Sequence, residues 1–266
     1  MLTEMITSAE AILATFLSLY FGLFTPILIT GKSTYRLTVL MAVASGIIFW
    51  SFLDLMNDSA LLDVNQGFAG GLTQFSILVC FAVALLGLFW LDRMFNTTSR
   101  LRKNVVALSY GAALLVAAGI GFHSFGEGLE IGSLIGYSYL SSPTSLSIVS
   151  AIGGIGSGVA YLLHKFLEGF VVGVFAATAE AEFKRNLGLG LLAAIPTMIG
   201  VAVALVMTVD ATFFFGVGAV AAIYIEYKLI PNLFRKDRIM IYIVALLCGF
   251  YLMYLAGLFH SYTTIF

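Results

Sequence analysis

The sequence predicts an all-α integral membrane protein of eight transmembrane helices, and three observations carry that prediction. Only 10% of the 266 residues are charged and 61% are hydrophobic, with mean hydropathy +1.04, whereas soluble domains hold about 25% charged residues. The apolar residues gather into eight runs, most near the ~20 residues that cross a bilayer. The basic residues alternate between loops along the chain. So few charges could not clothe a soluble surface, which excludes a cytosolic enzyme, a nucleic-acid binder and a disordered chain. The net charge of −1 says nothing about partners.

The runs cover about residues 8–30, 37–56, 69–91, 105–138, 145–178, 187–209, 212–230 and 239–260. No basic n-region or small-residue cleavage site precedes the first, so it is expected to remain as helix 1. Helix 2 ends on Asp54 and Asp58. Helix 3 leads into a short basic loop, 92–104. Helices 4 and 5 are long and must tilt, kink or protrude, and only Val209-Asp210 separates helix 6 from helix 7. The chain thus divides into 1–91 (helices 1–3), the 92–104 loop, 105–178 (helices 4–5) and 187–260 (helices 6–8). Cys80 and Cys248 lie in apolar runs and read as packing residues, with no disulfide framework or cysteine metal site.

Sidedness follows from the 13 lysines and arginines. Lys32 and Arg36 sit in loop 1–2; Arg93, Arg100, Arg102 and Lys103 in loop 3–4; Lys184 and Arg185 in loop 5–6. Lys228, Arg235, Lys236 and Arg238 lie at the end of helix 7 and in loop 7–8. Loops 2–3, 4–5 and 6–7 hold none. These twelve mark the odd-to-even loops as cytoplasmic and both termini as outside. The thirteenth, Lys165, falls within helix 5.

Ionisable groups inside a membrane are costly and point to function. Helix 4 contains His123-Ser124-Phe125-Gly126-Glu127-Gly128, and helix 5 contains His164-Lys165-Phe166-Leu167-Glu168-Gly169. In each His-x-x-x-Glu-Gly motif, residues four apart differ by about 40° around the helix, so His and Glu share a face. Glu130 extends the stripe on helix 4. A lone intramembrane histidine could simply hydrogen-bond a neighbouring helix; the duplication argues for a shared site instead. Two imidazoles and two carboxylates suit a divalent first-row metal. Gly128, Gly132 and Gly136, Gly154 with Gly158, and Gly169 with Gly173 form small-residue ridges that admit close backbone approach.

At these residues the chain resembles the ZIP (Zrt/Irt-like) family of divalent metal transporters. The resemblance covers the whole chain in topology and helices 2, 4 and 5 in motif, with Asp54 and Asp58 at the helix 2 positions where the family carries His and Glu. It implies a 3+2+3 arrangement in which helices 1–3 and 6–8 are inverted repeats around the helix 4–5 metal-binding pair. It also implies metal uptake by alternating access, with helices 1, 4, 5 and 6 moving against 2, 3, 7 and 8. Many members hold a second metal, where this chain carries Ser124, Lys165 and Ile195 (before Pro196), none able to complete a second divalent site. The expectation is a mononuclear site of His123, Glu127, His164 and Glu168, with the Lys165 ammonium standing where a second cation would sit. The alternative for Lys165 is snorkelling toward an aqueous cavity. The family's proline within each motif is replaced by Gly126 and Leu167, and the 92–104 loop holds no histidine.

Asp54, Asp58 and Glu130 are candidates for the transport path. Asp54 and Asp58 read as entrance groups or a solvated helix end; Glu130 as a transient ligand, a proton acceptor or a partner of Lys165. Glu226 reads as a pair with Lys228 or an exit-path charge, and His260 carries no assignment. The leading function is therefore transport of divalent metal, zinc favoured and iron, manganese or cadmium admitted, into the cytoplasm. Protonation of the ligands would release the ion. No prosthetic group and no enzymatic activity are expected. The expected partners are divalent ions and the lipid bilayer of the plasma (cell inner) membrane, not nucleic acid; a homodimer is compatible with the sequence. Two other readings are a bis-His haem protein using His123 and His164, and an intramembrane zinc hydrolase, which lacks a His-Glu-x-x-His element.

Overall fold

In the computed structural model, residues 2–31, 33–59, 72–95, 98–102, 105–141, 155–233 and 238–260 are described. They form α1 (Leu2–Thr30), α2 (Thr34–Asp58), α3 (Leu72–Met94), β1 (Thr98–Arg102), β2 (Val105–Leu108), α4 (Tyr110–Ser141), α5 (Ile155–Thr178), α6 (Phe183–Ala204), α7 (Thr212–Leu233) and α8 (Ile239–His260). All eight helices are long and apolar enough to cross a bilayer. The protein is an all-α, eight-span membrane protein whose only extramembrane ornament among the described residues is one short hairpin.

That hairpin corrects the expected start of helix 4 at residue 105. Val105 pairs with Arg102, Val106 with Leu101 and Leu108 with Thr98, antiparallel. Two adjacent β-branched residues favour the strand, and the helix begins only after Ser109, whose Oγ accepts from the Ala112 amide at 3.3 Å. The 92–104 boundary also shifts, because α3 continues to Met94 and includes Asp92 and Arg93. The expected start of helix 5 (145–154), Gly154, Lys32, Lys103, Arg235 and Lys236 lie outside the described residues.

The ends of the helices are unlike in charge. Arg185 stacks over the Tyr110 ring at 5.1 Å and Arg238 over Tyr35 at 4.7 Å, so the starts of α2, α4, α6 and α8 share one basic end. Asp54, Asp58, Glu130 and Asp210 belong to the opposite halves of their spans. Asp210 sits in the α6–α7 turn, where its Oδ1 accepts from the Thr212 amide at 2.9 Å and its hydroxyl at 2.5 Å. These bonds hold the Asp210 carboxyl below the usual carboxylate range.

Three helix pairs make the most extensive interfaces: α4 with α6, α1 with α5, and α2 with α8. Each is a glycine seam. A Cβ at Gly128 or Gly200 would strike the backbone across α4–α6; one at Gly22, Gly169 or Gly173 would do so across α1–α5; one at Gly46 or Gly249 across α2–α8. Gly128 and Gly132 of α4 and Gly169 and Gly173 of α5 are therefore spent on α6 and α1. The α4–α5 contact itself is limited, which leaves room there for side chains. Outward faces carry large apolar residues such as Phe75, Leu86 and Trp90 on α3, as contact with lipid requires.

Candidate metal centre

With their glycine faces committed elsewhere, α4 and α5 present their His/Glu faces to one another. The result is a four-atom cluster. His123 Nε2 lies 3.5 Å from Glu127 Oε1 and 3.0 Å from Glu168 Oε1. His164 Nε2 lies 3.2 Å from each of the same two oxygens. The distances between helices match those within them, so the four groups form one set rather than two pairs. Ligand atoms from all four lie within 4.8 Å of one another. Three of these residues are buried and His123 is half-buried.

The other oxygen of each carboxylate faces Lys165, which is completely buried. Its Nζ donates to Glu168 Oε2 at 2.7 Å, to Ser124 Oγ at 2.9 Å, and to Glu127 Oε2. Ser124 Oγ in turn donates to Glu168 Oε2 at 3.4 Å. All three ammonium donors are used inside the cluster, so Lys165 does not snorkel, and Glu130 is not its partner. Tyr161, one turn earlier on α5, sets its ring 5.9 Å from Nζ, and its hydroxyl shares a 2.9 Å hydrogen bond with Thr15 of α1.

This arrangement suits a divalent cation on two counts. Two carboxylates and one ammonium leave a net negative charge with neutral imidazoles, and a buried charge needs a partner. Glu127 Oε1 is also buried without a hydrogen bond. For tetrahedral zinc, ligand bonds of about 2.0–2.2 Å place ligand atoms about 3.3–3.6 Å apart. The four His–Glu separations, 3.0–3.5 Å, are close to that edge, and the whole set lies within 4.8 Å. Eight apolar spans and this cluster fit a membrane metal-binding protein.

No protein-family profile matches the chain, and no characterised protein matches it.

The remaining candidates divide. Asp58 is exposed and Asp54 half-buried, and Asp54 stands within electrostatic reach of His164, His123 and Glu127. Glu130, half-buried, stands within reach of Asp58, Glu127 and His123. Ile195 is 40% exposed on the outer face of α6. The expected Glu226–Lys228 pair is not formed: residues two apart differ by about 200° around a helix. Glu226 Oε2 instead accepts from Ser45 Oγ at 2.7 Å, and its Oε1 is buried without a hydrogen bond. Lys228 is buried inside α7 and pairs with Asp92 of α3.

Sequence reasoning missed the third wall of the site. Phe215 of α7 lies 5.8 Å from the His123 ring, and a Cβ at Gly218 would crowd His123 Cβ at 2.9 Å. The run Phe215-Gly216-Val217-Gly218, with glycines two apart in an apolar helix, is the signal that could have marked it. Toward the basic end, α2, α4 and α7 enclose a cavity of about 20 Å³ that touches His123 and Glu168 and is walled by Ile48, Ile120 and Ile225.

Proposed function

We propose that this protein is a transporter of divalent transition-metal ions, zinc foremost, working as the ZIP family does by alternating access and delivering metal to the cytoplasm. The observation that carries the reading is the convergence of His123, Glu127, His164 and Glu168 inside the membrane span. In this reading the centre is mononuclear, because the Lys165 ammonium already neutralises the oxygens a second ion would need.

The surroundings of the centre differ by end. Exposed Asp58 and half-buried Asp54 and Glu130 lie on the acidic side, within electrostatic reach of its ligands, and are the candidate entrance groups. On the basic side, taken as cytoplasmic, Ile48, Ile120 and Ile225 seal the way beyond the small cavity. The seams α4–α6 and α1–α5 fall within one proposed moving block, and α2–α8 and α2–α7 within the other.

A haem is disfavoured because the two Glu Oε1 atoms occupy the gap between the histidine rings, whose centroids are 5.9 Å apart. A hydrolase is disfavoured because the adjoining cavity of about 20 Å³ has space for about one water and none for a substrate beside it. The deciding experiment is metal uptake into proteoliposomes, with several divalent ions in competition and an imposed pH gradient. Accumulation of zinc or a close relative supports transport; binding without flux, or hydrolytic turnover without flux, overturns it.

A further inference from the structure

Resting on the metal-centre reading above, we propose that Lys165 determines which ions the centre accepts, by withholding the second oxygen of each carboxylate from the coordination sphere. Glu127 and Glu168 divide their oxygens in the same way. Each directs Oε1 toward the two histidines and Oε2 toward the ammonium. A carboxylate held so binds a metal through one oxygen only.

The lysine is not free to yield. It is fully buried, its three donors are engaged, and the Tyr161 ring lies 5.9 Å from its Nζ. Tyr161 is itself tied to α1 through Thr15. The centre therefore offers two nitrogens and two oxygens. The cavity of about 20 Å³ beside His123 and Glu168 adds space for about one water. Four or five donors satisfy zinc. They do not satisfy calcium, which takes 6–8 oxygens, or magnesium, which holds an octahedron with several of its own waters. Manganese, favouring six oxygen-rich donors, is likewise undersupplied. An apolar side chain at 165 would return Glu127 Oε2 and leave Glu168 Oε2 with only the 3.4 Å contact from Ser124, so that the protein could offer up to six donors.

The test uses purified full-length protein and Lys165→Met, with zinc binding measured directly and by competition with manganese. The wild type is expected to bind one zinc per chain and to prefer it strongly. In the variant the zinc-to-manganese affinity ratio is expected to fall at least tenfold, and an unchanged ratio overturns the proposal. If the variant does not fold, X-ray absorption on the zinc-loaded wild type decides. A shell of two imidazoles and two single-oxygen carboxylates, four or five donors in all, supports it. A six-donor shell or a chelating carboxylate overturns it. A wild type that binds no zinc overturns the metal-centre reading as well, whereas one zinc with chelating carboxylates refutes only the role of Lys165.

Discussion

Among the described residues two lysines are buried in the membrane span, and they differ in what their partners have left over. Lys228 on α7 pairs with Asp92 on α3. Asp92 Oδ2 accepts from Lys228 at 2.8 Å and Oδ1 from the Tyr224 hydroxyl at 2.6 Å, so both oxygens are engaged. The Tyr224 and Tyr227 rings flank the ammonium at 5.4 and 5.3 Å. Lys165 also lies against a tyrosine, but it meets two carboxylates and leaves each with one oxygen facing two histidines. The first cluster joins two helices and is closed, in that both Asp92 oxygens are engaged. The second, with neutral imidazoles, is one positive charge short, which suits a cation. Buried ion pairs of the same chemistry are a strut or a site according to the ratio of acid to base.

The largest effect is expected at the open cluster. Glu168→Ala or His164→Ala should abolish metal uptake while the protein still inserts, measured by flux in proteoliposomes beside a check of detergent-extracted folded protein. Full uptake by either variant would refute the ligand set. Zinc titration of the wild type should reach one ion per chain; two would show that Lys165 does not exclude a second.

At the closed cluster the loss should appear in stability instead. Asp92→Ala removes the carboxylate that pairs with a buried ammonium, and breaking a buried pair costs about 3–5 kcal/mol. Asp92 keeps some exposure, so the lower end is expected, read as a fall in unfolding temperature in detergent. The double variant Asp92→Leu/Lys228→Met should recover most of that loss, with uptake per folded molecule near wild type. If the single and double variants lose stability equally, the strut reading fails. Tyr224→Phe removes one hydrogen bond to a charged group and should cost about 1.5–3 kcal/mol.

The smallest effect lies outside the membrane. Asp210→Ala breaks a turn-forming carboxylate contact and should cost about 1 kcal/mol at neutral pH. Because the folded carboxyl titrates below its ordinary value of about 3.9, its contribution is full above that value. It fades as pH falls through the lower folded value. Wild type and variant should therefore converge in unfolding temperature in acid; a gap that persists there would assign the loss to something other than the ionised carboxylate.

What could be read from the sequence followed from one-dimensional spacing. The bounds of α8 coincide with its apolar run, because nothing else competes for residues 239–260. The His-x-x-x-Glu motifs were legible because one helical turn is a local fact. Which helix a glycine ridge would meet was not: spacing names a face, and only packing names its neighbour. The Asp92–Lys228 pair spans 136 positions on two helices and has no local trace. Loop 3–4 misled because the short Val-Val strand shares its hydropathy with the helix that follows. Glu226 was paired with Lys228 on nearness in the chain, against the helical angle.

The apolar seal at Ile48, Ile120 and Ile225 has an electrical consequence. Glu226 lies eight residues beyond Gly218 on α7, about 12 Å along the axis from the level of His123. A membrane voltage falls across low-dielectric material, so an ion carried through this apolar stretch would cross part of it. Carrying two charges over a full 100 mV amounts to about 4.6 kcal/mol. Uptake driven by an imposed diffusion potential should then rise when the basic end is negative, and an uptake indifferent to voltage would mean that the charge crosses already compensated.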